Sequence, residues 1–207
     1  MADQPPKWGK DMDDPVTFRR GEPRDCSDMA ILLDSASRRI TSWLWGLSAT
    51  PGQSWIDYGR TRALTATSAA MFHANWQVVE VDGQLAGGCF GFLIPDPYDP
   101  GDLSDMPDFL HPLIAMEELA KGCWMLQCIA VFPEHRGKGL GRRLIEKACE
   151  MARTSGAGRI VLEVENVNAG AIDLYTAKGF TEWQRCPYIP FPGSDDQGDW
   201  ILMVMDL

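Results

Sequence analysis

Long apolar runs, basic residues and histidines are all scarce in this chain of 207 residues. No apolar stretch approaches the roughly 20 residues that a membrane-spanning helix requires, so no membrane association is expected. Lysine and arginine number 19 against 29 aspartates and glutamates, and a formal net charge of -10 argues against a general nucleic-acid binder, which needs a basic surface. His73, His111 and His135 are dispersed without ligand spacing, and no metal is expected. Cys26, Cys89, Cys123, Cys128, Cys149 and Cys186 form no CxxC pair, and most sit in apolar runs where cysteine behaves as a small hydrophobe. The opening MADQPPKWGKDMDDP lacks the basic start, apolar middle and cleavage site of a secretory signal. It reads as a flexible polar tail over residues 1–15, and the reduced cytoplasm is the expected compartment.

What remains is a globular composition, 45% hydrophobic and 23% charged, with length for one domain, taken as residues 16–207. Val16 to Arg19 reads as a short strand, with Asp25 or Ser27 as N-cap of a first helix whose Leu32, Leu33, Ala36 and Ile40 recur at helical spacing. Ser42 to Gly59, which carries Trp43, Trp45 and Trp55, gives no clear element, and a further helix is expected between Thr61 and Met71. In WQVVEVDGQLAGGCFGFLI the Asp82-Gly83 pair between two β-rich runs predicts a hairpin with a type I′ turn. A Pro- and Asp-rich loop from Pro95 to Asp108 precedes a short helix from Leu110 to Ala120. The nearly all-apolar Cys123 to Phe132 suits a central strand covered on both faces.

Downstream, Leu140, Leu144, Ile145, Ala148, Met151 and Ala152 make one helical stripe that ends near Gly156. RIVLEVE is a strand with Glu163 and Glu165 on one face. NAGAIDLYTAKGF is a helix with Asn168 at its N-cap and Gly179 at its end. DWILMVMDL closes the chain as a strand. Hairpin strands combined with a strand-helix-strand unit imply an α/β layered domain, a mixed sheet flanked by helices.

Between the central strand and the amphipathic helix lies PEHRGKGLGRRL. A strand, a glycine turn and a helix N-terminus make an anion site, because the first helical NH groups lack internal partners and the helix dipole favours negative charge. The spacing fits neither a nucleoside-triphosphate P-loop, since Arg142 and Arg143 follow the last glycine, nor a dinucleotide fingerprint. Arg136-x-x-Gly139-x-Gly141, with IAVFPEH before it, resembles the acetyl-coenzyme A pyrophosphate site of the GNAT superfamily of N-acetyltransferases. Asn168-x-x-Ala171-x-x-Leu174-Tyr175-x-x-x-Gly179-Phe180, some 30 residues on, resembles that superfamily's second block.

The resemblance, loosest outside these blocks, extends over about Val16 to Leu207 and implies a GNAT-like, mostly antiparallel sheet in one domain. It implies an acetyl-CoA-dependent N-acetyltransferase that moves acetyl from acetyl-CoA to a primary amine, small-molecule or peptide, by direct transfer in a ternary complex. Ile129, Ala130 and Val131 would offer strand backbone to the pantetheine arm, and Arg136, Gly137, Lys138, Gly139, Leu140 and Gly141 would hold the pyrophosphate. Lys138, Arg142 or Arg143 would meet the remaining phosphate. Asn168, Ala171 and Tyr175, at i, i+3 and i+7, share one helical face toward the cofactor, with Tyr175 as the acid for the departing thiolate.

The general base stays open among Glu163, Glu165, Glu117, Glu118, His111 and water, each side chain weighed against a solvated charge. Trp43, Trp45 and Trp55 fall where this family builds its acceptor pocket, against a packing role. Asp96, Asp99, Asp102, Asp105 and Asp108 make either a solvated loop or one that draws in a cationic amine. Nothing beside Cys128 activates it, which disfavours a cysteine acyl-enzyme. The acceptor is not named by the sequence, a homodimer is allowed, and the alternative on the same fold is a non-catalytic acyl-CoA-binding or regulatory module.

Overall fold

The computed structural model describes residues 16–195 and 197–207, and the tail expected over residues 1–15 lies outside the described residues. Seven strands form one sheet in the order β1-β2-β3-β4-β5-β7-β6. They are β1 (Val16–Arg20), β2 (Gln77–Val81), β3 (Gln84–Leu93), β4 (Trp124–Val131), β5 (Arg159–Glu165), β6 (Thr181–Pro187) and β7 (Asp199–Asp206). Every neighbouring pair is antiparallel except β4 with β5, which are parallel. Asp82 and Gly83 both take positive φ, 52° and 76°, as the type I′ hairpin between β2 and β3 requires.

Among the described residues six α-helices cover the sheet: α1 (Cys26–Ala36), α2 (Ile40–Ser48), α3 (Trp55–Thr65), α4 (His111–Leu119), α5 (Leu140–Thr154) and α6 (Ala169–Ala177). The stripe of α5 does what its spacing predicts. Leu140, Leu144, Ile145, Ala148 and Ala152 are buried against Val79, Ala86, Leu126 and Leu162 of the sheet, each large side chain worth about 1.5–3 kcal/mol of transfer free energy. The opposite face carries two further clusters. Helices α1 and α3 pack over Val78, Phe90 and Cys128, while Ile40, Phe109 and Met116 pack over Met125, Val161 and Leu202.

The first helical pattern is two helices rather than one. Leu32, Leu33 and Ala36 belong to α1, but the backbone turns left-handed at Arg38 and Arg39, φ 48° and 80°, and Ile40 begins α2. The Ser37 hydroxyl accepts the Thr41 NH and the Asp34 carboxylate accepts the Ser42 NH, so side chains satisfy the amides that a continuous helix would have paired internally. The helix expected between Thr61 and Met71 is instead α3, which starts at Trp55 because Ser54 caps it through the Asp57 NH. Asp25 does precede α1, yet its carboxylate holds Arg19 and the Glu22 NH instead of capping that helix.

Strand β6 has no counterpart in the sequence reading. It is an edge strand exposed along nearly its whole length, so it shows no apolar alternation to find. Replacing Leu144 by alanine, a side chain fully buried between α5 and the sheet, is expected to lower stability by about 3 kcal/mol in urea denaturation, the cost of a core cavity. A loss under ~1 kcal/mol, the size of an exposed-site change, would contradict that packing.

Candidate active site

The parallel contact between β4 and β5 is short. Only Trp124 with Ile160 and Met125 with Val161 are paired. Immediately beyond, Gln127 is an extra residue on β4: Cys128 pairs with Phe90 and Leu126 with Gly91, which leaves Gln127 opposite nothing. A bulge adds local twist and bends the strand that carries it. It also reverses the alternation, so Leu126 packs on the α5 face while Cys128 packs beneath α1. From there the strands separate and their facing backbones bound a cleft of about 860 Å³.

One wall is β4 from Leu126 to Val131 and the other is β5 from Leu162 to Glu165. The glycine turn closes one end. Gly137 and Gly139 take φ 75° and 77°, a conformation costly for any side chain, and the turn delivers the chain into the N-terminus of α5. Gly141 lies close to α6, since a Cβ there would sit 3.0 Å from the end of the Leu174 side chain, which would have to give by a few tenths of an ångström. Arg136 donates its Nε to the Val131 carbonyl at 3.0 Å, which ties the turn back to the end of β4.

Of the residues singled out in the sequence, Ile129, Ala130, Val131, Arg136, Gly137, Gly139, Leu140, Gly141, Arg142, Asn168, Ala171 and Tyr175 all line this cleft. Lys138 does not; it is exposed on the turn between the two left-handed glycines. The Val131 carbonyl is already taken by Arg136, so it is not an open rung of the strand. Arg143 and Lys147 lie over the Phe18 ring of β1, at 5.0 and 5.7 Å, which leaves Arg142 as the basic side chain of α5 on the cleft wall. Asn168 precedes α6 without a side-chain capping bond.

Tyr175 is 8% exposed. Burial pushes its phenol well above the usual tyrosine range, and the nearby Cys128 adds to the effect. The group therefore stays protonated at neutral pH. Cys128 is itself buried, and its thiol is pushed up by the same desolvation.

The base candidates separate sharply. His111 and Glu118 are exposed, and Glu117 accepts a 2.5 Å hydrogen bond from the Tyr98 hydroxyl. Glu165 is buried in an ion pair with Arg38, Nε to Oε2 2.5 Å, which anchors the left-handed α1–α2 turn to β5. Glu163 borders the cleft, and its Oε1 is buried with no hydrogen-bond partner. Desolvation first, and the Glu117 charge second, raise it well above the ordinary carboxylate range. The expectation that these carboxylates are solvated charges fails for Glu163 and Glu165, whose strand face is turned inward under α1 and α2.

Trp43, Trp45 and Trp55 do not line the cleft. Trp45 stacks on Trp55 at 6.3 Å in the α1–α3 cluster, and Trp43 packs edge-on against Phe109 at 5.3 Å. Trp200 of β7 lines it instead, together with Arg38. Neither was legible in advance. Trp200 sits in a continuous apolar strand, and Arg38 interrupts what reads as an unbroken helical pattern.

Comparison with known proteins follows the same geometry. The family model described as Acetyltransferase (GNAT) family matches residues 39–180. A streptothricin acetyltransferase of Streptomyces lavendulae is 53% identical over 55 residues, 27% of this chain and 29% of that one. A ribosomal protein bS18-alanine N-acetyltransferase of Escherichia coli is 38% identical over 80 residues, 38% of this chain and 53% of that one. The chain thus spans about a third to a half of the length of these curated relatives. A Salmonella typhimurium structure described with its cofactor acetyl-CoA superposes with TM-score 0.56 at 20% identity, over 92% of this chain and 93% of that one, a likeness of fold.

Glu163 gives a stability test. Its pKa is raised on folding, so its contribution is fully present below the ordinary glutamate value of 4.5 and is lost as pH rises through the folded value. Glu163→Gln, which keeps the shape without the charge, is expected to melt higher than wild type at neutral pH by on the order of 3 °C, with the gap closing toward acid pH. Equal melting temperatures at every pH would contradict a buried, unpaired carboxyl.

Proposed function

The chain belongs to the GNAT acetyltransferase family, and from that premise we propose that it transfers the acetyl group of acetyl-CoA to a primary amine, directly, in a ternary complex. One observation carries the reading: Tyr175 and Glu163, a protonated phenol and an unpaired carboxyl, border the same cleft, whose end is the left-handed glycine turn at the N-terminus of α5. The domain is taken as residues 16–207. The thiols, all free among the described residues, fit the reducing cytoplasm.

The residues suit the cofactor. The first NH groups of α5, at Leu140, Gly141 and Arg142, have no acceptor within the helix and suit a diphosphate, with Arg142 beside them for charge. The backbone of Ile129 and Ala130, where β4 has left β5, suits the amide groups of an extended pantetheine arm. Asn168 and Ala171, at the start of α6 on the cleft wall, would meet the arm's acyl end.

The chemistry follows from the two protonation states. The acceptor arrives as an ammonium ion, and Glu163 takes its proton; a carboxyl raised in pKa is a better base than a solvated one. The amine nitrogen then bonds to the thioester carbonyl carbon, the carbon–sulfur bond breaks, the sulfur takes the Tyr175 proton, and the second proton that the nitrogen sheds on becoming an amide restores the phenol, while Glu163 returns the first to solvent. Amide and free thiol are the products. Cys128 forms no acyl-enzyme, because burial keeps it a thiol rather than a thiolate.

The test is thiol release from acetyl-CoA across a library of amines. Tyr175→Phe is expected to lower kcat by about 10²–10⁴-fold while thermal stabilisation by coenzyme A is retained. Glu163→Gln is expected to remove the acidic limb of the pH–rate profile, which in wild type lies above the ordinary carboxylate range. No stabilisation of wild type by coenzyme A and no thiol release would overturn the reading.

A further inference from the structure

A second, smaller cavity opens off the cleft. Its volume is about 190 Å³, and it shares Ala36, Leu126, Gln127, Glu163 and Trp200 with the larger one. At about 30 Å³ for a water-sized group it has room for roughly six. Leu33, Ile40, Leu44, Leu110, Leu113 and Met125 make most of its wall, contributed by α1, α2, the turn into α4, α4 itself and β4. Its other polar members, Ser37, Thr41 and Gln127, are uncharged. Glu163 is the ionisable group on the wall, among the described residues.

Two residues that line both cavities each carry a buried polar atom without a hydrogen-bond partner: Glu163 its Oε1, an acceptor, and Trp200 its Nε1, a donor. A buried polar group left unpaired costs free energy, so such a site favours a ligand that satisfies it. Glu163 calls for the reacting amine. Trp200 calls for an acceptor atom within a few bonds of it. The leucine-lined wall calls for apolar surface, and a second charge there would be desolvated with nothing opposite it.

We propose that the small cavity is the acceptor subsite, and that it takes a primary amine carried on an uncharged, mostly apolar body with one hydrogen-bond acceptor near the nitrogen, of which an amino-acid amide with an aliphatic side chain is the simplest form. The proposal rests on the acyl-transfer reading above and adds the substrate class. It excludes polyamines and other polycations as preferred substrates.

The experiment compares kcat/KM of the full chain for leucinamide, isopentylamine, 1,5-diaminopentane and a protein extract, by thiol release from acetyl-CoA. Isopentylamine is expected to exceed 1,5-diaminopentane by about tenfold or more, the discrimination that one unpaired buried charge supplies. Leucinamide is expected to exceed isopentylamine several-fold, and Trp200→Phe, which removes the indole NH and keeps an aromatic ring, is expected to erase that second difference alone. Equal or better turnover of the diamine overturns the proposal and leaves acetyl transfer standing, as does turnover confined to protein amines. A Trp200→Phe enzyme that still prefers leucinamide overturns it too. Coenzyme A binding without turnover of any amine removes the acyl-transfer reading and this inference with it.

Discussion

Two residue pairs hold β4 and β5 together, and the rest of the site depends on their stopping there. A parallel ladder continued to Val131 would have satisfied the backbone of both strands and left no cleft. The extra residue at Gln127 ends it by bending β4 away just past its last paired residue. The hydrogen-bonding capacity that folding leaves unused along β4 is then available to an extended ligand, and the glycine turn places helix amides at the far end. The sheet stays sound because β3, apart from the bulge, pairs antiparallel along β4 on one side and β7 carries an unbroken antiparallel ladder to β5 on the other.

The interior of the cleft is dominated by desolvation. It keeps Tyr175 a phenol, Cys128 a thiol and Glu163 short of a freely ionised carboxylate. Each of these states costs free energy, and at Glu163 the buried oxygen has no partner to offset it. Glu165, two residues on and on the same strand face, is stabilised by Arg38 instead. One carboxylate therefore fixes the α1–α2 turn, while its neighbour keeps an oxygen without a partner. The left-handed backbone at Arg38 and Arg39 costs on the order of 1–3 kcal/mol per residue and persists because that ion pair and the Asp34 and Ser37 side-chain bonds over-determine the turn.

What was legible in the sequence was local. Asp82-Gly83, the α5 stripe, the glycine turn and the block from Asn168 to Phe180 each carry their signal within about a dozen residues, and each lies where the sequence places it. What was not legible depends on partners far along the chain. The break at Ser37–Arg39 hides inside an unbroken apolar spacing and is set by Glu165, well over a hundred residues away. Exposed β6 offers no periodicity, and the bulge at Gln127 shows only against β3. Glu163 and Glu165 look alike in RIVLEVE, and only the packing of α1 and α2 over that strand face separates a tether from an unpaired acid.

The two cavities draw on the chain differently. Most of the larger one comes from a single run between Leu126 and Tyr175, whereas the smaller one is assembled from residues 33–44, 110–113, 125–127, 163 and 200. In the proposed reaction, thioester handling would fall to that one continuous run, while the surface that meets the other reactant would be a mosaic of dispersed positions. Point changes in that mosaic would then retune selectivity and leave the geometry of the continuous run alone.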